Sequence, residues 1–178
     1  MKTCALYGFI MTLASAFVTL VLFFLGYHSD ASKMGIANGV GSGFGLAIAV
    51  ACTVLGIRAR RTEVPESEPF GYGSALWAGV LITVVASVLG AVFSYLYMSF
   101  INPGFSDVLL QFQMDKLQAK GISGAQFDQA EKFTKLFTNP GVASVTQLFF
   151  GLFMGLILSL IIAAFLKRSA PSVPPVQA

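Results

Sequence analysis

This sequence is short of charge. Asp, Glu, Lys and Arg together make up 11% of its 178 residues, where soluble domains carry roughly 25%. Too few charges are present to cover a water-soluble fold of this size, which excludes an ordinary soluble domain. The net charge of +3 is small and scattered, so it provides none of the clustered basic surface that a nucleic-acid partner requires. Histidine occurs once, as His28, and cysteine twice, as Cys4 and Cys52. Neither cysteine has a C-x-x-C partner or a nearby histidine, which argues against a metal or redox centre. Each reads instead as a small apolar residue packed in a helix. Catalytic patterns are equally scarce: there is no H-E-x-x-H, no P-loop and no Ser/His/Asp set within one compartment. Gly39-x-Gly41-x-x-x-Gly45 fails the dinucleotide spacing and lies in an apolar run. The expectation is a protein that is not an enzyme, with no cofactor and no metal.

Apolar residues fill the space that charge leaves. The sequence is 56% hydrophobic and its mean hydropathy is +0.78. Four apolar stretches stand out, at about 5–27, 36–57, 75–101 and 142–166. Each exceeds the ~20 residues that a helix needs to cross a hydrocarbon core of ~30 Å. None carries Asp, Glu, Lys, Arg or His well inside it. Lipid offers a backbone no hydrogen-bond partner, so these runs are expected to be helices. The first begins with Lys2 and contains Ala14-Ser15-Ala16, which resembles a signal peptide's cleavage site. Its apolar run continues through Leu25, past the 7–15 residues of a signal peptide, so an uncleaved membrane helix is the better reading. Tyr7 and Tyr27 bracket the first span; Trp77 and the pair Tyr95/Tyr97 bracket the third, as interfacial anchors do.

The connections set the orientation. Residues 28–35 form a short polar turn that places His28 in a solvated loop beside Asp30. Residues 58–74 read as a loop opening on Arg58-Ala59-Arg60-Arg61 and continuing through Pro65 and Pro69. Lys2, Arg58, Arg60, Arg61, Lys167 and Arg168 fall on one side of a four-span chain. Lys33, Lys116, Lys120, Lys132 and Lys135 fall on the other. The first group abuts helix ends, where positive residues weigh most, so both termini are expected in the cytoplasm. The basic cluster is read as this topology signal, with contact to anionic headgroups as the alternative. The tail 169–178 is rich in proline and is expected to be disordered.

Residues 102–141 are the one sizeable polar insertion, framed by Asn102-Pro103-Gly104 and Asn139-Pro140-Gly141. Phe105, Leu109 and Phe112 make one helical stripe; Phe127, Ala130, Phe133 and Phe137 make a second. Asn102 is a candidate cap for the first helix with Pro103 in its first position. Ser123-Gly124-Ala125-Gln126 is a candidate capping box for the second. The expectation is an extracytoplasmic helical hairpin broken at Gly121. Its residues Phe127, Phe133 and Phe137 either cap the bundle, which is the default, or face a partner.

In the second span, Gly35, Gly39, Gly43, Ala47 and Ala51 recur every four residues. Glycine costs a helix up to about 1 kcal/mol, and a stripe of it makes sense where another helix approaches closely in lipid. Gly151 and Gly155 offer a second such contact in the fourth span. Packing within the chain and an interface to a second copy or a membrane-protein partner are the two readings. The intramembrane polar residues, among them Ser42, Thr53, Thr83 and Ser87, include no group that titrates near neutral pH, as a proton-coupled carrier would need.

Phe70-Gly71-Tyr72-Gly73 leads into the third span, which continues through Tyr95-Leu96-Tyr97 to Ile101-Asn102-Pro103-Gly104-Phe105. A charged insertion and a glycine-bearing last span ending in Lys167-Arg168 follow. In this order and shape, over nearly its whole length, the chain resembles the small bacterial membrane proteins grouped as domain of unknown function 4199. That resemblance implies four membrane helices, a charged insertion between the third and fourth, and no assigned activity or functional residues. The expected protein is an all-α, four-helix multi-pass protein of the bacterial cytoplasmic membrane. Its leading role is a non-enzymatic interaction or assembly subunit; the alternative is a small oligomeric transporter or channel.

Overall fold

The computed structural model describes residues 1–168, so the tail 169–178 lies outside the described residues. Among these the chain is helical, without strands: α1 (Lys2–Phe24), α2 (Met34–Thr62), α3 (Tyr72–Leu96), α4 (Phe105–Ala119), α5 (Ala125–Thr138) and α6 (Pro140–Leu166). A 3-10 turn at Ala31–Lys33 leads into α2, and a π-helical turn at Tyr97–Ile101 extends α3. Four helical segments are long and apolar enough to cross a membrane: Lys2–Phe24, Ala31–Thr62, Tyr72–Ile101 and Pro140–Leu166. A multi-pass membrane protein needs this composition, since only helices and closed barrels satisfy their backbone in lipid.

The ends of the elements depart from the sequence reading in several places. The first helix stops at Phe24, where Gly26 takes φ +77° and turns the chain before Tyr27. Asp30 then accepts hydrogen bonds from the Ser32 amide (2.9 Å) and hydroxyl (2.7 Å), closing the turn that starts the second span. Helix α2 runs on to Thr62, so Arg58, Arg60 and Arg61 belong to its last turns and not to a loop. Its 29 residues span about 44 Å at 1.5 Å each, well beyond a ~30 Å core. The arginines are thus carried on helix beyond the length that a hydrocarbon core requires.

The two breaker triplets also part company. Asn139 caps α6, accepting from the amides of Gly141 (3.0 Å) and Val142 (3.5 Å), with Pro140 in the first position. Asn102 does not cap α4, which begins at Phe105 behind Gly104 and has no side-chain cap. Its amide turns inward instead. The capping box at Ser123–Gln126 is absent as well: α5 starts behind Gly124, whose φ of +60° suits glycine alone, and no side chain caps it. The break at Gly121 is present, with φ +78° between α4 and α5.

Helix α3 is the centre of the bundle. It packs most extensively on α6, and then on α1 and α2. The core at one end joins Cys4, Ile57, Ala75, Ala78, Ile82, Ile162 and Ala163. At the other end Ala31, Met34 and Ala37 pack beneath Phe112 of α4. The link from α2 to α3 is tied to the end of α6. Phe70 and Arg168 exchange backbone hydrogen bonds, and the Arg168 guanidinium donates to the carbonyls of Val64, Pro65 and Glu68. Cys4 and Cys52 are both buried and free.

Candidate functional site

The small residues of the spans separate into two populations. The first lies inside. A Cβ placed on Gly155 would sit 2.6 Å from Thr83 Cβ, one on Gly151 would meet Ser87 Oγ at 2.8 Å, and one on Gly79 would meet Ser159 Oγ at 2.7 Å. Gly90 faces Gln147 one further turn along. The first three pairs form an antiparallel ladder in which a glycine of one helix receives a hydroxyl residue of the other. The hydroxyls are satisfied locally: Thr83 donates to the Val80 carbonyl (3.0 Å) and Ser159 to that of Gly155 (2.7 Å). Backbones can approach this closely only where no side chain intervenes, which is how helices gain contact in lipid. Gly8 and Gly56 do the same around Ile82. The α3 half of the ladder escaped the sequence reading because Thr83 and Ser87 were grouped there as polar residues. Their four-residue spacing, continued from Gly79, was the available signal.

The second population lies outside. Gly35, Gly39, Gly43, Ala47 and Ala51 are all exposed along one side of α2. A Cβ on Gly39, Gly43 or Gly45 would meet nothing within 4 Å, and one on Gly35 would meet only the rim of Phe112, at 3.9 Å. Among the described residues, packing gives no reason for this stripe. Ile36 and Phe44 flank it, both exposed. With Val40 they line one wall of an apolar groove of about 390 Å³, whose other wall is α1.

In the insertion, α4 and α5 behave differently. Phe112 and Met114 of α4 are buried, and this helix covers the turn after α1 and the start of α2. Helix α5 leaves Phe133 64% and Phe137 41% exposed, with their rings 4.8 Å apart; Phe127 is half-buried. Of the two forms of the capping expectation, burial against helix ends or a place in the interface, Phe133 and Phe137 do not take the first. Their helix packs mainly on α4 and α6.

Under α4 lies a polar cluster that the sequence reading placed in solvent. His28 is only 7% exposed and Tyr97 3%. Their Nδ1 and Oη are 2.6 Å apart. Asn102 Nδ2 donates to the His28 carbonyl (3.3 Å) and to Tyr97 Oη (3.1 Å). A carbonyl only accepts, so this bond fixes the Asn102 amide orientation. Tyr97 Oη accepts from Asn102 and shares a second hydrogen bond with His28 Nδ1, whose direction is set by the imidazole tautomer. Phe105 closes over the ring, its centroid 4.9 Å away. Burial pushes the His28 pKa below its usual value. Tyr97 is thus an internal partner and not an interfacial anchor, aimed inward by the π turn that begins with it.

Among the described residues, no group of three or more His, Cys, Asp or Glu stands together as a metal site would require. Comparison with curated proteins and with solved structures returns no match. A protein-family model does match, over residues 6–168, which takes in all four apolar spans and the insertion. The chain belongs to that family, described as protein of unknown function DUF4199.

Proposed function

We propose that this protein is a non-enzymatic interaction or assembly subunit of the bacterial cytoplasmic membrane, docking another membrane helix against the outer face of α2. The observation that carries the reading is the open space over Gly39 and Gly43. Gly79, Gly151 and Gly155, by contrast, each have an in-chain neighbour that explains them. A glycine facing lipid costs helix propensity without return. One facing a partner helix permits close backbone approach. In this arrangement both termini are cytoplasmic, with Arg58, Arg60 and Arg61 at that interface. The α4–α5 hairpin is extracytoplasmic, and Phe133 and Phe137 of α5 extend the contact surface beyond the bilayer core or rest in its interface.

The transporter alternative asks Ser42, Thr53, Thr83 and Ser87 to converge on a wet path. Ser42 is exposed on α2, whereas Thr83 and Ser87 are occupied against Gly155 and Gly151. This arrangement favours the assembly reading.

The test is mild extraction of the tagged protein from its native membrane, with intact sizing and identification of co-purifying chains. A stoichiometric partner or a discrete homo-oligomer is expected, and Gly39→Leu with Gly43→Leu should dissociate it while leaving the monomer folded. A monomer in wild type, or an assembly indifferent to both substitutions, overturns the proposal.

A further inference from the structure

Where α1 begins, α2 ends and α3 begins, the three helices enclose a cavity of about 360 Å³, within the size range of ligand sites. It lies at the ends of three of the apolar spans, where a membrane helix meets the headgroup region. Its lining includes the polar residues Arg60, Glu68 and Ser74. Its apolar wall includes Cys4 and Ala78, both buried, and Trp77, which is 62% exposed. One wall is held fixed, because Phe70 is buried and bridged to Arg168. Arg60 is also positioned: its Nη1 donates to Glu63 Oε2, and Thr3 donates to the other oxygen of the same carboxylate. Guanidinium has five N–H donors in a planar fork, so the bond to Glu63 orients the group and leaves donors to spare.

We infer that this cavity binds the headgroup of a phospholipid bearing a primary ammonium and a phosphate, of the phosphoethanolamine type. The phosphate oxygens take the remaining Arg60 N–H groups and the Ser74 hydroxyl, as charge-assisted bonds. The ammonium donates to the Glu68 carboxylate. Trp77 lies along the glycerol and upper acyl region, where an indole's apolar body and N–H suit the interface. The paired charges select the class. A phosphoglycerol headgroup keeps the phosphate on Arg60 but offers Glu68 neutral hydroxyls in place of a cation. A phosphocholine headgroup carries the right charges but has no N–H to donate. The site is separate from the α2 face and stands whether or not that face docks a partner.

The experiment is intact mass spectrometry of the detergent-solubilised full chain, exchanged against equal amounts of phosphatidylethanolamine, phosphatidylglycerol and phosphatidylcholine with identical acyl chains. Phosphatidylethanolamine should be retained several-fold more than either of the others. Glu68→Gln should lower it to the phosphatidylcholine level, and Arg60→Gln should weaken all three, since they share the phosphate. Equal retention of the three lipids, or preference for phosphatidylglycerol, overturns the assignment, and the wild-type comparison alone decides this even if a variant misfolds. A second arm adds soluble phosphoethanolamine at the concentration of the lipid. Retention of the lipid supports a membrane source, and full displacement by the soluble ester overturns the lipid assignment in favour of a soluble phosphate ester.

Discussion

Gly155 of α6 faces Thr83 of α3 so closely that a Cβ on the glycine would sit 2.6 Å from the threonine's own Cβ. The neighbouring atoms belong to a branched side chain held by its hydroxyl to the Val80 carbonyl, so they have little room to yield. Gly155→Leu is therefore expected to destabilise the protein by about 1–3 kcal/mol, the usual cost of overpacking. Gly39→Leu, on the open face of α2, should leave monomer stability unchanged or slightly raised. Thermal unfolding of both variants in the same detergent checks the pair. Equal losses would contradict the division of the glycines into an inner and an outer set.

The His28 network predicts a pH response. Burial lowers the folded-state pKa of His28 from its usual 6.5, so the unfolded chain takes up its proton first as the pH falls. The contribution of His28 to stability is complete above about pH 6.5 and is lost as pH drops from there through the folded pKa. Asp30 and Glu63 have carboxyls held below their usual range. The Ser32 hydroxyl and amide do this for Asp30, and the Thr3 hydroxyl and Arg60 for Glu63. Their stabilising contributions are lost only in more acid solution. Wild type should thus melt at lower temperature at pH 5.5 than at pH 7.5, and His28→Gln should flatten that difference. An unchanged pH dependence in the variant would contradict the assignment.

Asn139 closes the N-terminus of α6 through two backbone amides. Asn139→Ala should cost about 1 kcal/mol, within the ~0.5–2 kcal/mol range of lost caps. Asn102→Ala should behave differently, because Asn102 is bonded to His28 and Tyr97 and caps nothing. Its removal should leave α4 intact and shift the pH response instead. Melting curves across pH separate the two effects.

Thr53 is fully buried and its hydroxyl has no hydrogen-bond partner among the described residues. An unpaired buried hydroxyl costs roughly 1–3 kcal/mol, and valine keeps the shape without it. Thr53→Val is expected to be neutral or stabilising in the same melting assay. A clear loss of stability would reveal a bond that the hydroxyl makes in the membrane.

The sequence by itself determined the number and approximate place of the apolar helices. An uncharged run of more than about 20 residues has no other way to satisfy its backbone in lipid, so spans such as 142–166 are legible without any packing information. The break at Gly121 was legible for a similar reason, since glycine tolerates the positive φ that the turn takes. Tertiary structure alone decided which small residues meet a neighbour. Gly39/Gly43 and Gly151/Gly155 share the same four-residue spacing, and that spacing places each pair on one face of its helix. Whether that face is covered depends on how each helix is rotated against the others, which no local signal encodes. The same holds for His28. It sits in a polar turn like any surface histidine, and it is buried only because α4 folds over that turn and the π segment aims Tyr97 and Asn102 at it.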